Sequence, residues 1–185
     1  MFMKKIVMSL LAVTVMATVL NAQTEKGDWM VGGNMTINTT KGNSEFTFQP
    51  SGGYFFANNF VAGAQLTLSF SKQEDTKYST FSVGPFARYY INIKDSDFKP
   101  FFHADFNVGS TGVKVPPFDK TTTTTTSFFI GAGGAYFINR NVALEALAGY
   151  NRIKIETYDP TNGFLFRIGF QVHLLGGEVA RVRGK

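Results

Sequence analysis

Cysteine is absent from the 185 residues. That excludes a disulfide framework, a thiolate metal site and a lipidated N-terminal cysteine. Histidine is nearly absent too, with only His103 and His173, too few to carry a histidine metal centre. Charged residues make up 17% of the chain, low for a soluble protein of this size. The formal charge of +5 comes without any basic cluster interleaved with aromatics, which argues against nucleic acid as a partner. No metal-ligand spacing, phosphate-cradling loop or recognised catalytic motif occurs, so neither metal nor cofactor is expected. The longest apolar run, Ile6 to Leu20, has 15 residues, short of the ~20 that a membrane-spanning helix needs. What the chain does have is 20 Phe and 19 Gly, a mixture too apolar for disorder and of one-domain length.

The apolar run is expected to be a targeting device. MFMKK supplies a positive start, and small Ala22 precedes a plausible cut, with Val15-Met16-Ala17 a second candidate. The reading is therefore a signal peptide at 1–22 and a single domain at 23–174, then a basic tail at 175–185. Loss of Lys4 and Lys5 lowers the charge by two, to +3.

From Trp29 onward the hydrophobic period is two. In Phe60–Phe70 the residues Phe60, Ala62, Ala64, Leu66, Leu68 and Phe70 oppose Val61, Gly63, Gln65, Thr67 and Ser69. Phe98–Val108, Asn141–Tyr150 and Phe164–Leu174 alternate as cleanly. Trp29–Asn38, Glu45–Phe56 and Tyr78–Ile93 are noisier. Thr123–Ile138 is small or apolar on both sides, which leaves its faces unassigned. Eight strands result. Ala57–Asn59, Lys94–Asp97 and Asn139–Asn141 read as tight Asn/Asp-rich turns, whereas Thr39–Ser44, Ser71–Lys77, Thr111–Thr122 and Glu156–Asn162 read as longer loops. Short turns at one end and longer loops at the other fit an eight-stranded, antiparallel, up-and-down transmembrane β-barrel with both chain ends on the short-turn side. Closure removes the sheet edges that lipid would not tolerate.

A soluble barrel would hide the apolar face inside; a membrane barrel reverses this. The minority face decides it. It holds Arg88, His103, Asp105, Glu145 and Arg167 with Gly63, Gly84, Gly109, Gly149 and Gly169, and outward arginines at that depth would cost ~2–4 kcal/mol each. The five ionisable residues fall at similar heights, and a turn flanked by Ile93 and Phe98 puts Arg88 opposite His103. They are expected to form a network filling the lumen. Trp29, Phe56, Phe60, Tyr89, Phe98 and Tyr136 would form one aromatic girdle, and Phe46, Phe70, Tyr78, Tyr150 and Phe164 the other.

RIGFQVHL, at 167–174, carries the most specific match. With polar Arg167, Gly169, and apolar Val172 and Leu174, it resembles the last-strand insertion signal of the small OmpA/OmpX-like, "porin family" outer-membrane β-barrel domains. The resemblance covers about Trp29 to Leu174. It implies a bacterial outer-membrane location, contact with outer-membrane lipids, and recognition by the barrel-assembly machinery. A monomer is expected. The chain departs from the pattern by continuing past the signal, through Gly176-Gly177 into a tail with Arg181, Arg183 and Lys185. The function expected is a non-enzymatic contribution to outer-membrane structure, with loops available for partners. One alternative is a narrow gated channel or small-ligand barrel. A second is an envelope-lipid-modifying enzyme built on His103 and Asp105 with Ser69 or Ser82. Six consecutive threonines, Thr121–Thr126, read as a β-prone strand extension or as an exposed edge that captures partner strands.

Overall fold

A computed structural model describes residues 24–40, 43–73, 76–115, 121–156 and 159–176. The expected signal peptide and most of the expected tail, 177–185, lie outside the described residues. The elements are β1 (Trp29–Thr40), β2 (Asn43–Ala57), β3 (Phe60–Gln73), β4 (Thr76–Tyr90), β5 (Phe98–Lys114), β6 (Thr121–Phe137), β7 (Val142–Ile155) and β8 (Thr161–Leu174). Each pairs with its sequence neighbours, and β1 pairs antiparallel with β8 to close the barrel. Trp29 faces Leu174 across that seam, so both strand ends meet at one mouth.

The connections differ from the expectation. β4 ends at Tyr90, so β4 and β5 are joined by seven residues, 91–97, and not by four. At the opposite end only 41–42 and 74–75 separate their strands. Polar residues such as Ser71, Lys72 and Lys77 continue the ladders there, because backbone pairing needs no apolar side chain once the strands leave lipid. The asymmetry between the two ends is carried largely by strand extension, not by loop length.

Alternation sorts side chains by solvent. Phe60, Leu66, Phe70, Phe81, Phe102, Phe106, Leu144 and Phe166 point outward and are exposed, while Gln65, Ser82, Arg88, His103 and Gln171 are buried inside. β6, unreadable from sequence, places Thr125, Phe129, Ala135 and Phe137 inside and Phe128, Ile130 and Tyr136 outside. Phe129 is inward because it is a lid for an arginine, described below. Tyr78 is a correction: it shares the inward face of Ser82 and lines the upper lumen, so it takes no part in the outer girdle. The remaining girdle residues are exposed on the outside, and Trp29, Tyr54 and Phe56 form an edge-to-face cluster at the lower rim, with centroids 5.2 and 5.1 Å apart.

Glycine lets so narrow a barrel hold large rings. A Cβ at Gly133 would collide with the Phe101 ring, and one at Gly53 with the Phe86 ring. Both rings fill the lumen at the level of the ionisable residues.

Candidate functional site in the barrel lumen

Arg88 stands opposite His103 in the β4–β5 ladder, and Phe86 opposite Asp105. Glu145 and Arg167 enter from the far wall, on β7 and β8. Arg88 Nη1 donates to both Glu145 oxygens at 2.6 and 2.7 Å, crossing the lumen. The same nitrogen donates to the Tyr90 hydroxyl at 2.9 Å, and that hydroxyl lies 3.1 Å from Glu145 Oε1. Arg167 Nη1 donates to Asp105 Oδ2 at 2.6 Å. His103 links the two pairs: its Nδ1 accepts from Arg88 Nε at 3.3 Å, and its Nε2 lies 3.1 Å from Asp105 Oδ2. An Nδ1 that accepts leaves the ring proton on Nε2, so His103 donates to Asp105 as the neutral tautomer. The cluster then holds two cations and two anions, and its charge sums to zero.

Aromatic faces complete the solvation of the arginines. The Arg88 guanidinium carbon is 4.2 Å from the Phe101 centroid, and that of Arg167 is 3.8 Å from Phe129. His103 stacks on Phe86 at 5.6 Å. No more than 4% of any of the five ionisable residues is exposed. The network continues upward through Asn107, which donates to Asp105 at 2.8 Å and accepts from Gln65 at 3.2 Å.

The structure thus brings together Arg88, His103, Asp105, Glu145 and Arg167. Gly169, Val172 and Leu174 lie instead along the lower half of β8: Gly169 faces Asn34 of β1, and Leu174 faces the lipid side at the seam's end. Tyr90 was legible as an inward residue by parity with Arg88, but nothing in the sequence marks its hydroxyl as a third partner of the Arg88–Glu145 pair. Met30 is likewise silent in sequence; its sulfur lies 3.4 Å from that hydroxyl.

Polar cavities flank the plug. The upper one, of about 450 Å³, is lined by hydroxyls such as Thr47, Ser69, Thr80 and Thr125, with Arg167 in its wall. The lower one, of about 490 Å³, is lined by Asn58, Asn59, Lys94, Asp97 and Lys99. Thr24 reaches over it, accepting from Lys99 Nζ at 2.9 Å and donating to Asn59 Oδ1 at 2.6 Å. Between the cavities stand Tyr90, Phe101, Phe129 and Leu147, none more than 1% exposed.

Eight closed antiparallel strands, apolar outside and ionic inside, define a transmembrane β-barrel. Residues 6–172 match the model of the outer membrane protein beta-barrel domain, and the chain belongs to that family. It is accordingly a protein of the bacterial outer membrane. Solved structures agree on the fold. Neisserial surface protein A is 22% identical with a TM-score of 0.61, over 80% of this chain and 97% of that one. The N-terminal barrel domain of Pseudomonas aeruginosa OprF is 14% identical with a TM-score of 0.53, over 80% and 98%. Pseudomonas aeruginosa OprG is 13% identical with a TM-score of 0.50, over 83% and 99%. No curated protein matches the chain in sequence.

Proposed function

We propose that this protein is a non-enzymatic, monomeric structural component of the outer membrane, whose lumen is sealed by the charged plug and whose extended strand ends are left for partners. One observation supports the reading: the Arg88–Glu145 pair is buried on both sides, crosses the lumen and lines neither of the two cavities. A general diffusion pore needs an open path, and an eight-stranded barrel has room for side chains or for solvent at this level but not for both. The test is conductance in planar bilayers. The wild-type barrel should give no resolved ion steps; stable open steps would overturn the sealed reading.

The gated-channel alternative draws on the two cavities, one at each end of the plug, which a movement of the plug would join. It predicts voltage- or ligand-dependent steps in the wild type, and the same recordings decide it. The enzyme alternative has less support. Ser82 lies opposite Gly109, six residues up β5 from His103, roughly 20 Å at about 3.3 Å per residue. Both His103 nitrogens are already engaged, which leaves no base beside a nucleophile.

For Arg167, Gly169, Val172 and Leu174 we retain the role of assembly signal. Arg167 also serves the plug, so its loss mixes two effects. Val172→Asp with Leu174→Asp alters the strand's apolar side alone, and should block membrane assembly in cells. Normal insertion of that variant would retire the signal.

A further inference from the structure

Above the outer girdle the barrel's exterior turns basic. Lys72 faces Lys77 across β3–β4, and Lys77 faces Lys114 across β4–β5. Three lysines therefore stand side by side in one row. All three are exposed and share the outward parity of Phe70, Phe81 and Val108; Lys72 also borders the rim of the upper cavity. Directly opposed like charges destabilise a sheet. Among the described residues none of the three forms a salt bridge, and the ion pairs there belong to the plug. Glu74 and Asp75, which fall between Lys72 and Lys77 in the sequence, lie outside the described residues.

The height of the row is informative. Lys72 is twelve residues above Phe60, and Lys77 twelve above Tyr89, both of the lower girdle. At about 3.3 Å per residue and a tilt of about 40°, that is roughly 30 Å, just past an apolar band ~25 Å tall. Cations recur further round the barrel on a lower rung of the ladder, since Thr126 faces Val108, six positions below Lys114. On the outward side of β6 come Thr122, Thr124 and Thr126, and on β7 Arg152 and Lys154, with Lys154 opposite Thr126. Glu156, directly after β7, adds one exposed acid there. Half of the threonine run thus presents hydroxyls between two groups of cations.

We infer that this belt, centred on Lys72, Lys77 and Lys114, docks the phosphorylated headgroup of an outer-leaflet glycolipid. A lipid phosphate lies at the height of the lysines, its charge relieves their mutual repulsion, and hydroxyls beside it suit a sugar. A soluble anion would not be held at the edge of the apolar band by its own acyl chains. The inference rests on the membrane location and not on the sealed lumen, so the two can fail separately.

The full chain is folded into phosphatidylcholine vesicles containing a minor fraction of bisphosphorylated lipid A or of its phosphate-free form. It is then extracted in mild non-ionic detergent, and retained lipid is read by native mass spectrometry. Wild type should retain the phosphorylated lipid about tenfold better than the phosphate-free form. K72Q/K77Q/K114Q should lose that preference, while K26Q/K94Q, at the other end of the barrel, should keep it. Heat-shifted gel mobility confirms that each variant is folded. Equal retention by the row variant, equal loss in the K26Q/K94Q control, or full displacement by inorganic phosphate would each overturn the inference.

Discussion

Glu145 has two oxygens and spends both on Arg88, with Tyr90 as a third contact. Truncating either partner strands the other charge in a site with almost no exposure. Arg88→Ala and Glu145→Ala should each destabilise the folded barrel by about 3–5 kcal/mol, read from denaturant unfolding in vesicles. Replacing both, as Arg88→Met with Glu145→Leu, should recover most of that loss, since no charge is left unpaired. Additive losses in the double variant would show that the pair does not act as a unit. Glycines offer a contrast of the same kind. Gly133→Val would drive its side chain into the Phe101 ring that covers Arg88, whereas nothing lies within 4 Å of a Cβ at Gly52. Gly133→Val should therefore lower stability by kilocalories and Gly52→Ala by roughly nothing, within about ±0.5 kcal/mol.

The seam between β1 and β8 is shorter than its neighbours. Its ladder stops at Met35–Ile168, yet β1 runs on to Thr40 and β8 begins at Thr161. One side-chain contact, Thr36 Oγ1 to the Phe166 carbonyl at 3.4 Å, bridges the point of divergence. Phe164, at the upper girdle, lies four residues beyond the last β1–β8 pair at Ile168, so the strands part below the top of the apolar band, where unpaired backbone is costly. Because the chain has no cysteine, paired substitutions report on this directly. Met35→Cys with Ile168→Cys should oxidise readily, and Ile37→Cys with Phe166→Cys much less; equal yields would mean that the seam is zipped to the top. That divergence was not legible in the sequence, since β1 and β8 both alternate through it. β5 was legible, because each inward residue from Lys99 to Asn107 is charged, aromatic or amide and each outward one is apolar. β6 was not, because Phe129 is an apolar residue needed inside and Gly131 and Gly133 carry no side chain to sort. The plug's members could be found from parity and height alone. Which carboxylate each arginine takes, Glu145 for Arg88 and Asp105 for Arg167, depends on how far the closed barrel brings opposite walls together, a distance no single strand encodes.

The molecule as a whole is organised by an inversion of the usual core: ions and amides are shielded from water by rings, and the apolar surface is left to lipid. Stability of such a barrel depends on two different dielectric settings. The plug is dry and insulated, so added salt should leave its contribution nearly unchanged, while the exposed lysines at the upper rim should respond to salt strongly. The inversion itself has a built-in reporter. The chain has a single tryptophan, Trp29, which is 44% exposed on the outer wall at the mouth where the strand ends meet. Folding into vesicles should shift its emission to the blue, as the indole moves from water to the membrane interface. Lipids brominated near the headgroup should quench it more strongly than lipids brominated at the chain ends, since the lower girdle lies at the edge of the apolar band. Emission that stays red, with no quenching by either lipid, would place the aromatic wall in water and reverse the inside and outside of the barrel.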